Sequence, residues 1–270
     1  VLVQAFAIIF ALPALTAANL LLELQRTFDF HFFDPAAGGD PVLWQHLFWI
    51  FGHPDVYIIF LPAIGIVSSI VPVFSRRPLV GHTWVIFATV AVGLLGFGVW
   101  VHHMFAVGLP QVTIAFFAAV SLAITIPSGI QIFAWLATML RGRPVLKTPM
   151  LFIVGFIAVF VVGGVTGVMF AAIPFDQQIT DSYFVVAHFV LMGGAVFPIF
   201  AAIYYWLPKI SGRLLDERLG KTSFWLIFIG FNVTFFPMHI SGLLGMPRRV
   251  YTYDGDLGWD GYNLLSTIGA

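Results

Sequence analysis

Seven long apolar runs constrain this chain more than any other feature of its sequence. Only 9% of its 270 residues are charged, against about 25% in an ordinary soluble domain. Each run is at least as long as the roughly 20 residues that a helix needs to cross a lipid bilayer. The sequence therefore predicts an all-α fold, a polytopic membrane helix bundle of about seven to eight transmembrane helices. The runs lie near residues 1–22, 44–74, 83–108, 113–140, 150–173, 183–207 and 223–245, and an eighth begins near 262.

Composition excludes several classes of function. The formal net charge is zero, so nothing points to nucleic acid as a partner. The chain has no Cys, which excludes thiolate-bound metals, iron–sulfur clusters and disulfides within it. Val1 opens inside an apolar run without a basic segment before it. We therefore expect residues 1–270 to form a single transmembrane domain that is incomplete at both ends.

The loops between the runs alternate in charge. Basic residues dominate the loops at 75–82, 141–149 and 208–222, whereas the loop at 23–42 is acidic. By the positive-inside rule, the three basic loops lie on the inner side of the membrane and the other loops face outward. Asp55 is then the only Asp, Glu, Lys or Arg inside any predicted span.

The run WQHLFWIFGHPDVYIIF (44–60) carries an unusual set of polar residues for a membrane segment. His53 and Tyr57 are four residues apart, which places them on one helix face about 6 Å apart along the axis. Asp55 points off that face. Polar groups inside a membrane are costly and usually serve a function. The pattern predicts a metal or redox centre with a proton route beside it.

Other histidines lie at a similar depth. Counted from the outer ends of their predicted spans, His53, His102, His103 and His188 all fall in the outer half of the membrane. Three or four converging imidazoles suit copper, iron or zinc. Neighbouring helical residues point about 100° apart, so His102 and His103 could share an ion only if it lies between them. The remaining membrane histidines, His46 and His239, are expected to form hydrogen bonds in packed helix interfaces.

Several motifs together resemble subunit I of the haem–copper terminal oxidases, the cytochrome oxidase type. GHPDVYI (52–58) is similar to the family's GHPEVYI, and WVHHMF (100–105) to its WAHHMF. The resemblance covers essentially the whole chain, and it implies that the chain forms seven or eight of the twelve helices of an oxidase subunit I. Further matches in order and at family spacing are FFDPAAGGDP (32–41), QIFAWLATM (131–139), DSYFVVAHF (181–189) and GMPRRV (245–250).

The resemblance implies roles for the histidines and the tyrosine. His53, His102 and His103 would bind copper. Tyr57 would be joined covalently to the His53 ring and would donate an electron and a proton to bound oxygen. His188 would be the axial ligand of a high-spin haem whose iron faces the copper.

Other implied roles concern charges and proton supply. Arg248 and Arg249 would pair with haem propionates, and Asp181 would bind magnesium or manganese at the outer surface. Asp55 would end one proton path. A second proton path would run past Ser128 and Gln131.

The implied reaction reduces dioxygen to water and pumps protons outward in a respiratory chain. The electron donor would be cytochrome c or quinol, and the partners would be oxidase subunits II and III in a lipid bilayer. We expect a bacterial plasma membrane rather than the mitochondrial inner membrane.

The sequence departs from the family pattern at four places. The family's AHFHYVL is AHFVL here (187–191), so the second His, which would bind the low-spin haem, is missing. Asp55 replaces a Glu, and Gln131 replaces the Lys of the second proton path. Thr180 replaces a His beside Asp181, which weakens the outer metal site.

Two other functions stay open at this point. A nitric oxide reductase of the same superfamily would hold non-haem iron instead of copper, but Tyr57 argues against it because that family lacks this tyrosine. A secondary transporter could use Asp55 as its proton site. That hypothesis gives no role to the His102–His103 pair or to Arg248 and Arg249.

Overall fold

The fold is built almost wholly from helices. The computed structural model describes the backbone of residues 1–270 and the side chains of residues 1–188 and 194–270. The predicted all-α class is confirmed. The helices are α1 (Leu2–Phe28), α2 (Pro41–Ser75), α3 (His82–Leu95), α4 (Gln111–Ala123), α5 (Thr125–Arg141), α6 (Thr148–Ala171), α7 (Ile173–Ile179), α8 (Tyr183–Met192), α9 (Val196–Ser211), α10 (Glu217–Phe235), α11 (Pro237–Leu243) and α12 (Asp260–Gly269), with short 3-10 helices at Pro35–Ala37, Gly96–Gly98, Trp100–Met104 and Gly193–Ala195.

Six segments of the described residues are long and apolar enough to cross a membrane, judged by length and composition. They coincide with six of the seven predicted runs, and this composition supports an integral membrane protein. The remaining run, 183–207, contains residues 189–193 and is folded as α8 and α9. The six segments are Leu2–Phe28, Pro41–Ser75, His82–Met104, Gln111–Arg141, Thr148–Ala171 and Glu217–Leu243.

Two predicted runs are not continuous α-helices. The third leaves α-helical geometry after Leu95 and continues in two 3-10 helices. Glycines at 96 and 98 weaken the helix there. The fourth is interrupted at Ile124, between α4 and α5. Pro127 explains this break, because its ring clashes with the carbonyl four residues earlier and it has no N–H to donate.

The chain divides into two compact units. The first comprises Val1–Pro62 and Thr83–Gln131, and the second comprises Ala63–His82 and Ile132–Ala270. That the two units form a single transmembrane domain stays a prediction.

Aromatic packing forms the core of the second unit. Helix α6 packs against α8, α9 and α10. The fully buried Phe152 ring lies 5.2 Å from that of Phe224 and 6.2 Å from that of Phe197. Helix α11 packs closely on α8, because Gly242 has no Cβ to collide with the backbone of Phe184. These contacts fix the position of α8, which carries His188.

Candidate metal centre

Three imidazoles converge in the first unit. Nδ1 of His53 lies 2.8 Å from Nε2 of His102 and 3.1 Å from Nε2 of His103. One ligand atom from each residue falls within 4.8 Å of the other two. With metal–nitrogen bonds of about 2.0–2.1 Å, a shared ion would hold the nitrogens roughly 3.4 Å apart. Both contacts to Nδ1 of His53 are shorter than this spacing by less than an ångström, so the donor set fits a metal ion.

The 3-10 segment Trp100–Met104 brings His102 and His103 to the same place. Val99 breaks the preceding helix with φ −127° and ψ 2°. The indole N–H of Trp100 then donates to Nδ1 of His46 at 3.1 Å. This bond confirms the hydrogen-bonding role predicted for His46. The Nε2 atoms of the two histidines that follow both lie within 3.1 Å of Nδ1 of His53.

Ser121 of α4 determines the tautomer of His102. Its hydroxyl donates to the carbonyl of Phe117 at 2.6 Å and lies 2.8 Å from Nδ1 of His102. Because the hydroxyl proton is already donated, the serine oxygen accepts the proton of Nδ1. Nε2 of His102 then carries a lone pair, as a metal ligand requires. Sequence reasoning missed Ser121, since a serine on an apolar helix gives no distinct signal.

Trp49 supports the third histidine. Its ring is stacked on that of His103, with centroids 3.9 Å apart and an angle of 8° between the planes. Helix α2 therefore contributes His53 as a candidate ligand and Trp49 as a platform for another. Flat stacking restricts rotation of the His103 ring.

Tyr57 lies beside His53, as the helical spacing predicts. The two ring centroids are 4.8 Å apart. Gly96 makes room for the phenol ring, because a Cβ at that position would come within 2.6 Å of Cδ2 of Tyr57. Asp55, two residues from each, is half-buried.

The second unit holds His188 in a defined tautomer. Its Nδ1 lies 3.1 Å from the carbonyl of Gly163 and 2.9 Å from Oγ1 of Thr166, whose own proton goes to Gly163. Nδ1 is therefore the protonated nitrogen, and Nε2 carries the lone pair that an axial haem ligand needs. Gly167 allows the ring to approach α6, since a Cβ there would lie 3.0 Å from Cε1 of His188.

Asp181 holds both candidate propionate-binding arginines. Its Oδ1 accepts from Nε of Arg248 at 2.9 Å and lies 3.8 Å from Nη1 of Arg249. The backbone N–H of Arg248 also donates to the carbonyl of Asp181 at 3.0 Å. In the described part of the chain, His53, His102 and His103 form the one group of three or more potential metal ligands. That Asp181 binds magnesium or manganese stays a prediction.

The family description "Cytochrome C and Quinol oxidase polypeptide I" matches residues 1–270. The chain belongs to this family. It is 53% identical over 264 residues to cytochrome c oxidase subunit 1 of Alkalihalophilus pseudofirmus, an alignment that covers 97% of this chain and 42% of that protein. It is also 54% identical over 265 residues to the Bacillus subtilis subunit 1, covering 97% and 43% of the two chains.

Further comparisons agree with this membership of the oxidase polypeptide I family. A probable cytochrome c oxidase subunit 1-beta of Nocardia farcinica is 48% identical over 272 residues, covering 100% of this chain and 46% of that protein. The chain thus spans less than half the length of these curated relatives. A cryo-EM structure of a heme-copper terminal oxidase dimer shares the fold, with a TM-score of 0.78 at 20% identity over 99% of this chain and 53% of that chain.

Two departures from the oxidase pattern are the shortened motif at 187–191 and Gln131. The shortened motif at 187–191 falls on residues 189–191, whose side chains lie outside the described part. Gln131 is fully buried, and its Nε2 donates to Oγ1 of Thr89 at 3.1 Å. Thr89 donates its own proton to Val85, so it must accept from the amide NH₂. Ser128 lies one turn earlier and is half-buried.

Asp176 is a buried carboxylate that the sequence pattern did not single out. It lies in α7, outside the membrane-spanning segments, with 3% of its surface exposed. Its Oδ2 has no hydrogen-bond partner among the described residues. Burial raises the pKa of Asp176 from 3.8 to about 7. The one available signal was its place in the apolar stretch AAIPFD (171–176).

Replacing Asp176 with Asn should make stability less dependent on pH. Because the folded-state pKa of about 7 exceeds the ordinary 3.8, the folded state holds this proton more tightly than the unfolded state. Its contribution to the free energy of unfolding is fully present below about pH 4 and is lost as pH rises through about 7. Thermal unfolding of the full-length protein at about pH 5 and about pH 8 checks this. The Asp176→Asn variant should lose less stability between the two than the parent.

Asp29 supplies the matched control for that experiment. Its side chain is 95% exposed, so Asp29→Asn should leave the difference between the two pH values unchanged. An Asp176→Asn protein that loses as much stability as the parent would contradict the effect of burial on this carboxyl.

Proposed function

We propose that this chain is the catalytic core of subunit I of a respiratory haem–copper oxidase that reduces dioxygen to water. The convergence of His53, His102 and His103 within 4.8 Å supports the proposal most strongly. Three neutral imidazoles suit copper. His188 would be the axial ligand of a high-spin haem. When bound, the haem and copper would supply the redox chemistry on dioxygen.

The chain's own residues would orient these ligands and hold protons. Ser121 keeps the His102 proton on Nδ1, and the Gly163 carbonyl does the same for His188. The Tyr57 hydroxyl would supply a proton and an electron next to the copper ligands. Asp55, on another face of α2, would deliver protons toward that place.

The remaining assignments follow the family. Arg248 and Arg249 would bind the haem propionates, with Asp181 holding the guanidinium groups in position. Gln131 and Ser128 would order water on a second proton path, and Gln131 itself would carry no charge. The complete protein would hold a low-spin haem and assemble with subunits II and III. It would take electrons from cytochrome c or quinol and pump protons across the bacterial plasma membrane.

Metal analysis with an optical spectrum of the full-length protein tests the proposed function. We expect haem and copper together. The His103→Ala variant should lose copper and keep its haem spectrum, because His103 lies in the three-imidazole group and His188 does not. His82→Ala is the matched control, since His82 is exposed at the start of α3. Haem with non-haem iron and no copper would favour a nitric oxide reductase. A protein that contains neither haem nor copper would refute both the oxidase and the reductase.

Tyr57 is tested by removing only its hydroxyl. Tyr57→Phe should keep the ring packed against Gly96 and retain copper, yet abolish oxygen consumption. Asp55→Asn offers a comparison on the same helix, and it should slow turnover strongly while leaving Tyr57 in place. Oxygen consumption by Tyr57→Phe at the parent rate would remove the tyrosine from the proposed mechanism.

Ser121 provides a test that depends on binding rather than on turnover. Removing its hydroxyl with Ser121→Ala frees the His102 ring and its tautomer, so copper affinity should fall by about 10–100-fold. Ser121→Thr keeps the hydroxyl and should restore affinity. Competition with a chelator measures both. Ser69→Ala is the control, because the Ser69 hydroxyl donates to the carbonyl of Gly65 in its own helix. An equal loss there would contradict a specific role for Ser121.

A further inference from the structure

Two segments of the second unit are joined by hydrogen bonds into one structure, which we name the inner clip. It consists of residues 74–80, which include the last two residues of α2, and residues 138–147, which include the last four residues of α5. Gly142 permits the close approach, because a Cβ there would collide with the carbonyl of Ser75. The bonds that join the segments run from Arg143 N to Ser75 O at 2.9 Å, from Val145 N to Phe74 O at 2.9 Å, from Val80 N to Thr138 Oγ1 at 2.9 Å, and from Arg77 Nη1 to Arg141 O at 3.1 Å.

The inner clip concentrates positive charge without neutralising it. Its cationic side chains are exposed, and residues 63–82 and 132–147 include no Asp or Glu. Within the described part of the chain, four of these side chains make no ion pair or hydrogen bond, whereas Arg77 caps α5 by donating to its last carbonyl. Glu217 lies beyond the clip, bonded to Thr148 N and close to Lys221. The four free cations are Arg76, Arg141, Arg143 and Lys147.

Arg76 occupies a backbone position that favours glycine. The N–H of Arg76 donates to the carbonyl of Val73, and the N–H of Arg77 donates to the carbonyl of Pro72. This pair of bonds is the Schellman pattern at the end of α2. Arg76 adopts the left-handed φ of +53° that this pattern requires. At the end of α9 the chain uses Gly212, at φ +69°, for the same purpose. Arg76 thus keeps its charge at a position where glycine would be less strained.

The hydrogen bond between Ser75 and Arg143 brings the cations together. Arg76 follows Ser75 directly in the sequence, and Arg143 donates the backbone N–H of this bond. The neighbouring apolar side chains Val73, Leu140 and Leu146 are 52%, 84% and 54% exposed. The inner clip thus combines several cations with exposed apolar surface at the predicted inner end of two spans.

We propose that the inner clip binds the phosphodiester headgroup of an anionic lipid in the inner leaflet. Guanidinium groups match phosphate oxygens in pairs of hydrogen bonds, and basic sites at the inner ends of membrane helices attract such headgroups. The exposed leucines would contact the acyl chains. The proposal rests on the predicted topology and does not depend on the oxidase function.

The test compares the full-length protein in two kinds of nanodisc, one of phosphatidylcholine alone and one that also contains phosphatidylglycerol. Phosphatidylglycerol should raise the thermal midpoint of the parent and stay bound in native mass spectrometry. The Arg76→Gly variant suits the left-handed position, so its midpoint in phosphatidylcholine should equal or exceed that of the parent. Its response to phosphatidylglycerol should be smaller, and it should retain less of that lipid.

Controls separate lipid binding from other effects of charge. Arg26→Gln removes a cation on the predicted outer side and should respond to phosphatidylglycerol as the parent does. Arg143→Gln should reproduce the loss of response, which keeps the test informative if Arg76→Gly folds poorly. An undiminished response in Arg76→Gly and Arg143→Gln would overturn the proposal. So would an equal stabilisation of the parent by inorganic phosphate alone, because the site would then bind a free anion.

Discussion

The proposed chemistry depends on bringing three imidazoles together inside an apolar helix bundle. Polar side chains in such surroundings are costly unless they bind one another, a metal or water. Here His53 comes from a regular helix, while His102 and His103 come from a 3-10 segment that departs from one. The bond from Trp100 to His46 and the stacked Trp49 hold this irregular segment against α2.

The two candidate ligand sites use one device to select a tautomer. In each, an oxygen on a neighbouring helix accepts the proton of Nδ1. The Ser121 hydroxyl oxygen does so for His102, and the Gly163 carbonyl oxygen does so for His188. Nε2 is thereby left with its lone pair in both imidazoles. Orientation and protonation are set by the same contact, which is why a hydroxyl or carbonyl outside the ligand set bears directly on binding.

Helical periodicity and the cost of unpaired backbone groups in lipid explain what could be predicted from sequence. They suffice for the all-α class, for six of the spans, and for the shared face of His53 and Tyr57. They could not predict that Gly96 packs against the Tyr57 ring, because that contact joins positions 39 residues apart in the chain. Nor could they single out Ser121 or Asp176, whose importance comes from a neighbour and from burial.

The contact between Gly96 and Tyr57 has a consequence for how such chains evolve. A methyl group at position 96 would overlap the phenol ring, so the tyrosine requires a glycine there. Substitutions at these two positions should accordingly covary. In relatives with a smaller residue in place of the tyrosine, this steric constraint is absent, and position 96 can hold a residue larger than glycine.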